Sequence, residues 1–243
     1  MPTKLTQLHL SNLGSATRTT IHCKTCQMQY NKIDPNDTRL HVQHHTSILQ
    51  GPPFTKSAST IVQRPLQNSV IPEKGNLAVV TRSSPKELQK RALSLLHTID
   101  IALGAPFNSN RDLTFFPNDG KIYFIHSSES ARVISVVAAE RIEFAFRRIP
   151  ENEGVETTTA KENALIGISR MWTCIAEREK GLCRALLDEC AAGFVLGVDC
   201  RSTKLVNGDR PLKDFVAFST PSESGLGLAR KWAGREDFLV YHD

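Results

Sequence analysis

The spacing of apolar residues predicts an ordered pattern of strands and helices that begins near Asn76. Residues 76–82 are a short apolar run and predict a strand. Ser84-Pro85 then places a capping Ser before a Pro at the first helical position. The predicted helix carries apolar residues at helical spacing, namely Leu88, Ala92, Leu95, Leu96, Ile99 and Leu103.

The next apolar segments predict antiparallel strands. A Pro-Asn-Asp-Gly turn at 117–120 separates 113–116 from 121–126, so these two segments are predicted to pair as a hairpin. Residues 132–149 form a long β-prone run. Residues 150–162 are acidic and rich in Thr, which predicts a surface loop or a flexible insertion.

The C-terminal part alternates strand and helix, so the fold class is mixed α/β (α+β). Several antiparallel strands precede its glycine turn, whereas a Rossmann fold normally places that turn after the first strand. There is no internal repeat. The predicted elements are a strand over 166–174, a helix over 179–196, a strand over 215–219, a helix near 224–232 and a closing strand over 238–241.

The N-terminal third of the 243-residue chain has a different composition. Residues 1–80 hold eight Lys or Arg and three Asp or Glu, so they carry the whole net charge of +5. They hold only two of the sixteen aromatic residues and cannot bury much apolar surface. The predicted organisation is a disordered tail over 1–20, a zinc finger over 21–50, a linker over 51–75 and a folded domain over 76–243.

The sequence predicts an intracellular protein without a membrane segment. No run approaches the roughly 20 apolar residues of a membrane span, and the first residues lack the apolar core of a signal peptide. In a reducing compartment the six cysteines are not expected to form a disulfide set. Four of them lie in apolar or helical context and are expected to be buried thiols, namely Cys174, Cys183, Cys190 and Cys200.

A metal site is predicted where Cys23-x-x-Cys26 is followed by His41-x-x-x-His45. Two thiolates and two imidazoles suit tetrahedral Zn(II), and this spacing is typical of a finger in which a strand pair supplies the Cys and a helix supplies the His. His44 is an alternative fourth ligand, but an i, i+4 pair lies on one helix face and favours His45.

The rest of the finger sequence fits this prediction and bears on its role. Asp34-Pro35 supplies a cap and a first-turn Pro for the helix, and Tyr30 supplies an aromatic residue for the small core. The base-reading positions would be Asp34, Asp37 and Leu40, which are poor partners for DNA. A structural or protein-contact module is therefore favoured, while sequence-independent help from the basic tail stays open.

A phosphate-binding turn is predicted after the 166–172 strand. Arg178-x-x-Gly181-x-Cys183 opens an amphipathic helix, whose first backbone N–H groups and positive dipole end would face an anion. A pyrophosphate-bearing cofactor is the obvious candidate for this turn.

Taken together, the chain resembles the sister-chromatid cohesion acetyltransferases, the establishment-of-cohesion family of eukaryotes. Three matches occur in the right order: the finger, the 167–172 strand with its Arg178-x-x-Gly181 turn, and the 218–241 segment with Pro221 and Gly225. The resemblance implies a GNAT-type acetyltransferase fold with a mixed sheet, in which two neighbouring strands diverge around acetyl-CoA. It also implies acetylation of lysines on the SMC ATPase head of cohesin, on chromatin in the nucleus, during S phase.

The resemblance implies roles for individual residues. Ser169 and Asp188 match positions that bear on catalysis, and Thr220 stands where some relatives carry Asp. Because Thr220 cannot act as a base at neutral pH, Asp188, Glu140 and Glu143 remain as proton acceptors, acting through a water, while Ser169 and Thr220 are expected to orient the lysine. The residues expected to contact the cofactor are Met171, Trp172, Thr173, Arg178, Gly181, Cys183, Ser224 and Gly225.

Other interpretations of the sequence stay open. The Gln7-x-x-Leu10-x-x-Leu13 run resembles a degenerate sliding-clamp-binding motif that lacks the aromatic pair, so clamp binding competes with an undistinguished tail. The alternative function is a zinc-finger adaptor whose acetyltransferase-like domain binds the cofactor without catalysis. A small-molecule N-acetyltransferase is a third hypothesis.

Overall fold

The chain divides into two compact units, Met1–Leu49 and Gln50–Asp243. The computed structural model describes residues 20–54, 75–105, 114–127, 129–150, 155–203, 205–206 and 210–242. The predicted N-terminal tail with Gln7, Leu10 and Leu13 lies outside the described residues, and so does the predicted linker over 55–74.

The smaller unit contains a strand pair followed by a helix. Strand β1 (Thr20–His22) is antiparallel to β2 (Gln29–Asn31), and helix α1 covers Pro35–Gln50. The carboxylate of Asp34 accepts the backbone N–H of Asn36 at 2.8 Å, so Asp34-Pro35 begins the helix as predicted.

The larger unit is built on one mixed sheet. Its described strands are β3 (Gly75–Val80), β4 (Lys121–Ser127), β5 (Val133–Arg141), β6 (Phe144–Arg148), β7 (Thr157–Asn163), β8 (Ile166–Thr173), β9 (Leu205–Val206), β10 (Arg210–Pro211), β11 (Val216–Ser219) and β12 (Leu239–Tyr241). Eight of these form the sheet, in the order β3-β4-β5-β8-β11-β12-β6-β7, while β9 and β10 pair separately. β11 is parallel to β8 and to β12, and the other neighbours in the sheet are antiparallel.

Three helices in the described part of this unit pack their apolar residues into one core with the sheet. They are α2 (Lys86–Leu103), α3 (Leu182–Gly193) and α4 (Glu223–Ala233). The predicted apolar face of α2 is buried except for the half-buried Leu103, with Ala92 and Ile99 fully inside. The mixed α/β class predicted from the sequence is confirmed. No helix in the described ranges is long and apolar enough to cross a bilayer.

The predicted hairpin between 113–116 and 121–126 is wrong. Residues 115–119 form a turn, and β4 pairs instead with β3 and β5. Phe115 and Phe116 are both buried, at 2% and 3% exposure. Adjacent residues of a strand point to opposite faces. The turn lets both rings enter the core, and Gly120 makes room for it because a Cβ there would lie 2.4 Å from the Phe115 carbonyl oxygen.

The predicted loop over 150–162 is wrong in its second half. β7 occupies Thr157–Asn163 and is the edge strand beside β6. Its residues are mostly exposed, so the segment lacks the alternation of apolar and polar residues that identifies a half-buried strand. The β-prone run over 132–149 also splits into β5 and β6, which lie far apart in the sheet.

The first residues of the predicted linker belong to the larger unit. Pro53 forms an isolated antiparallel bridge with Arg132, and Phe54 is 4% exposed in the main core. Gly51 has a φ of 97°, and a Cβ there would lie 2.1 Å from the carbonyl oxygen of Val133. Residues 51–54 are therefore part of the folded larger unit rather than part of a linker.

Two helix starts differ from the prediction. Ser84 does not cap α2, because its hydroxyl accepts the backbone N–H of Thr81 at 3.0 Å and Pro85 occupies the cap position. α3 begins at Leu182 rather than near 179, because Glu179 and Gly181 have left-handed φ angles of 64° and 80°. A helix cannot include such residues.

Candidate active site and metal centre

The finger unit brings the four predicted metal ligands together. The ligand atoms of Cys23, Cys26, His41 and His45 all lie within 4.8 Å of one another. The turn between β1 and β2 supplies both Cys, and one face of α1 supplies both His. His44 is not a member of the group, which agrees with the preference for an i, i+4 pair.

The chemistry of this group fits Zn(II). Hydrogen bonding by the backbone N–H of Cys26 and by the His41 side chain lowers the pKa of Cys23 to about 5, so this residue offers a thiolate. Burial raises the pKa of Cys26. The Nε2 atom of His41 is buried and has no hydrogen-bond partner within the described ranges, and Tyr30 stacks on this ring at 3.9 Å. A tetrahedral metal would satisfy the imidazole nitrogen and both thiolates.

In the larger unit, the parallel strands β8 and β11 part in the middle of the sheet. They pair at three positions, the last joining Ile168 to Phe218. Beyond this point β8 continues to Thr173, while β11 ends at Ser219. The Ser219 hydroxyl donates to the carbonyl oxygen of Ser169 at 2.9 Å, so one side-chain bond marks the start of the opening.

Ser169 is the extra residue of a β-bulge between β5 and β8. Ala138 pairs with Arg170 and Ala139 pairs with Ile168, which leaves Ser169 without a partner in the register. Its side chain is 3% exposed, and its hydroxyl donates to the carbonyl oxygen of Ala138 at 3.3 Å. Bulges of this kind bend a strand and redirect its backbone groups. Ser169 thus shapes β8 where it leaves β11.

The open part of β8 faces the first turn of α4. A Cβ at Gly225 would lie 3.7 Å from Met171 Cε and 3.3 Å from Pro221 Cβ. The space between Gly225 and Met171 is therefore small, and a side chain at position 225 would fill part of it. Ser222, rather than Ser224, caps α4 by accepting the N–H of Gly225 at 3.4 Å, and Ser224 is exposed. Met171 and the α4 start therefore border the opening from its two sides.

Trp172 and Thr173 complete β8 in different ways. Trp172 is 5% exposed and its ring belongs to the main core, so only its backbone can reach a ligand in the opening. The Thr173 hydroxyl lies 2.9 Å from that of Ser135 on β5. The Thr173 carbonyl oxygen accepts the Nε–H of Arg178 at 3.2 Å, which holds the guanidinium beside the end of β8.

The turn after β8, predicted to bind a phosphate, leads into the N-terminus of α3. The left-handed conformations of Glu179 and Gly181 lead directly into α3, and no side chain among the described residues caps this helix. The first N–H groups of an uncapped helix are free to bind an anion, and the helix dipole adds a positive potential. Desolvation raises the pKa of the Cys183 thiol to about 12, so this small first-turn residue stays neutral.

The remaining predicted catalytic residues occupy different environments. Thr220 is exposed directly after β11, at the opening. Asp188 on α3 accepts the indole N–H of Trp232 on α4 at 2.8 Å. This carboxylate therefore joins two helices through the buried Trp232 indole.

Sequence reasoning missed two pairs that brace the opening. Arg170 contacts Asp100 of α2 at 2.5 Å, and its Nη1 donates to the Ser169 carbonyl oxygen at 2.5 Å. The Tyr241 hydroxyl donates to the Glu140 carboxylate at 2.8 Å. Each pair joins residues far apart in the sequence, so local patterns do not predict it. The one signal was the charge of Arg170 within an apolar strand, which could have indicated a buried partner for that residue.

Two family models match the chain in the same order as the two units. The model for the zinc-finger of acetyl-transferase ESCO matches residues 7–47, and the ESCO1/2 acetyl-transferase model matches residues 162–241. Two separate parts of the chain thus match the zinc-finger and the acetyltransferase models of the ESCO family. The ESCO finger match contains the four ligands described above, and the ESCO acetyltransferase match contains β8, the Gly181 turn, α3, β11 and α4.

Individual relatives agree with this assignment. Human N-acetyltransferase ESCO2 is 28% identical over 232 residues, covering 90% of this chain and 35% of the relative. N-acetyltransferase ECO1 of Yarrowia lipolytica is 28% identical over 229 residues, covering 94% and 72%. The solved xEco2 acetyltransferase domain bound to a K105-CoA conjugate is 27% identical, with a TM-score of 0.59 over 70% of this chain and 94% of that domain. The chain spans about a third of the length of the first curated relatives it matches.

Proposed function

We propose that this chain is an acetyl-CoA-dependent protein-lysine N-acetyltransferase. The observation that carries the proposal is the parting of β8 and β11 beside the uncapped start of α3, within an ESCO-family domain. An extended thioester arm can enter between the strands while its pyrophosphate meets the helix N-terminus. A similar domain solved with a CoA conjugate supports the same ligand class here.

The proposed cofactor contacts follow from this geometry. Arg178 and the backbone of the Gly181 turn would hold the pyrophosphate, with Cys183 as a small neutral neighbour. Met171 and Gly225 would border the pantetheine arm, and the backbone of Trp172 and Thr173 would offer it hydrogen bonds. Acetyl-CoA supplies the activated acetyl group, and the chain supplies position and proton transfer.

The proposed catalytic residues divide into two kinds. Thr220 is exposed at the opening, where its hydroxyl would orient the incoming lysine. Ser169 would act as a positioning residue, because its buried hydroxyl bonds to backbone and shapes the β8 bulge. Asp188 would also be a positioning residue, which acts through Trp232 on the α4 side of the opening.

The proposed substrate is the SMC ATPase head of cohesin, acetylated on chromatin in the nucleus during S phase to establish sister-chromatid cohesion. Support comes from the family to which both domains belong and from relatives named as N-acetyltransferases. Association with the sliding clamp through Gln7, Leu10 and Leu13 belongs to the same proposal and places the enzyme near replication forks.

The proposed role of the finger is protein contact or structural support rather than base reading. Asp34 accepts the N–H of Asn36, and Asp37 accepts the N–H of Asn31 at 3.1 Å, so both carboxylates cap local structure. They would also repel DNA phosphates at the positions where a finger reads bases. The zinc-bearing unit then contributes a surface for another protein.

One experiment tests the enzyme and its substrate together. Purified protein is incubated with acetyl-CoA and a cohesin SMC head fragment, and new acetyl groups are mapped by peptide mass spectrometry. Gly181→Asp introduces both a strained backbone and a negative charge into the pyrophosphate site and should abolish transfer. Gly193→Asp is the matched control, because Gly193 lies at the opposite end of α3 with open space around it.

The outcomes separate the enzyme from the alternatives. Acetylation of head lysines by the wild type and by Gly193→Asp, but not by Gly181→Asp, supports the proposal. CoA binding without transfer would instead support a cofactor-binding adaptor. Turnover of free amines without a protein partner would support a small-molecule acetyltransferase.

A further inference from the structure

The Tyr241 side chain crosses two strands of the sheet. Tyr241 lies on β12, where it pairs with Ser219 of β11. Its hydroxyl nevertheless reaches Glu140 on β5 at 2.8 Å, and β11 and β8 lie between these two strands. The tyrosine is 5% exposed, so this crossing is a packed feature of the domain rather than a surface contact.

Small residues on the crossed strands make this path possible. A Cβ at Gly167 of β8 would lie 2.7 Å from Tyr241 Cζ and 2.9 Å from Cε1. Ala217 of β11 pairs with Gly167 of β8, and it belongs to the same small buried cluster as Tyr241. Any larger side chain at position 167 would displace the ring, so this strand glycine serves the Tyr241–Glu140 contact.

The contact lies next to the point where the parallel strands part. Glu140 pairs with Gly167 in the β5–β8 ladder. Gly167 precedes Ser169 by two residues, which is about 7 Å along a strand. Glu140 is therefore near the closed end of the opening, where β8 and β11 are still paired.

We propose that Glu140 accepts the proton of the attacking lysine and that Tyr241 positions the Glu140 carboxylate. This inference rests on the proposed acetyltransferase function. Among the three carboxylates predicted as proton acceptors, Asp188 is bonded to Trp232, and Glu143 is exposed in the turn between β5 and β6. Glu140 is half-buried beside the opening, and a tyrosine hydroxyl holds one of its oxygens.

The proton balance of the reaction gives Glu140 one defined step. A substrate lysine arrives as an ammonium ion, and the Glu140 carboxylate takes its first proton through a water and later releases it to solvent. The neutral amine then attacks the thioester carbonyl. As the new N–C bond forms and the C–S bond breaks, a second proton passes from nitrogen to sulfur, giving the amide, free CoA thiol and one released proton.

The test compares three variants in single-turnover acetylation of the SMC head fragment across pH 6 to pH 9.5. Glu140→Gln removes the base without changing shape, Tyr241→Phe removes only the hydroxyl, and Glu143→Gln is the control for loss of a nearby but exposed carboxylate. Losing a general base typically lowers the rate by about 10²–10⁴-fold. CoA affinity and melting temperature are measured for each variant to detect merely structural effects.

We expect Glu140→Gln to lose about 100-fold at pH 7. The loss should shrink as rising pH supplies the neutral amine directly, while CoA affinity stays at the wild-type value. Tyr241→Phe should lose less, and Glu143→Gln should match the wild type. A Glu140→Gln enzyme as fast as the wild type, or one whose loss is the same at every pH, overturns the inference. An inactive wild type would instead overturn the proposed function.

Discussion

Asp188 of α3 and Trp232 of α4 are joined by an indole N–H donated to the carboxylate at 2.8 Å. Trp232 is 2% exposed, and its ring also packs against Phe218 of β11. This bond therefore links the helix that would bind the pyrophosphate to the helix that borders the other side of the opening.

This link predicts that Asp188→Ala and Asp188→Asn differ. Ala leaves a buried indole N–H without a partner, which costs about 1–3 kcal/mol. Asn keeps an acceptor oxygen, so Asp188→Asn should retain most of the wild-type stability. It should also retain most of the wild-type acetylation rate. Urea unfolding and single-turnover assays of both variants check this. An Asp188→Asn protein that is stable and binds CoA but is inactive would show that the negative charge itself is catalytic.

The finger is predicted to depend on its metal. Each chain should hold one zinc ion, because four ligand atoms lie within 4.8 Å of one another. Structural zinc sites supply the folding energy of small units, so a chelator should make the finger sensitive to protease in the full chain. Cys26→Ser and His45→Ala should lose the zinc, measured by elemental analysis of the purified protein.

His44→Ala is the matched control for the finger. His44 neighbours the ligand His45 but lies outside the group, so this variant should keep the metal and resist protease. If His44→Ala lost the zinc and His45→Ala kept it, His44 rather than His45 would be the fourth metal ligand.

How far the sequence could predict the structure depended on whether a signal was local. The helical spacing of apolar residues located α2, and the turn at Gly181 located the start of α3 to within a few residues. The hairpin at 113–126 failed because burial of both Phe115 and Phe116 required a turn that a strand pattern does not anticipate.

The candidate site was predictable in the same uneven way. The ligand spacing of the finger and the Arg178-x-x-Gly181 turn are local motifs, and the structure brings their residues together. The Tyr241–Glu140 contact joins residues 101 positions apart and depends on the register of four strands. Strand register and order are tertiary features, so no local pattern in this chain could have indicated that pair.

Phe54 is predicted to stabilise the larger unit, although it lies in a segment of linker composition. Its ring packs against Phe124 at 4.9 Å, and the Arg91 guanidinium lies 4.6 Å from its centroid. Loss of a buried Phe side chain typically costs about 3–5 kcal/mol. Phe54→Ala should therefore lower the unfolding free energy by about that amount, measured with urea, whereas the fully exposed Leu196→Ala should change it little.

The same packing predicts where the acetyltransferase unit begins. A fragment starting at Gln50 should fold like the parent chain, and one starting at Asn76 should be less stable because it lacks Phe54 and the bridge between Pro53 and Arg132. Equal melting temperatures for the two fragments would show that residues 51–54 add nothing.

An ion pair between β6 and β7 predicts a pH dependence of stability. Hydrogen bonding by Arg147, whose Nε donates to the carboxylate at 2.8 Å, lowers the pKa of Glu162 from its ordinary value of 4.5. The folded pKa is thus below the unfolded one. Its contribution to stability is present above the unfolded value and is lost as pH falls through the folded value.

Glu162→Gln should therefore be less stable than the wild type at pH 7, and the difference should shrink as the pH falls below about 4.5. Urea unfolding at a series of pH values measures this directly. Glu143→Gln removes an exposed carboxylate and should differ little from the wild type at any of them. A Glu162→Gln deficit that persists unchanged at low pH would show that the side chain contributes through packing rather than through its charge. β7 would then be held to the sheet by its backbone pairing with β6 and not by this ion pair.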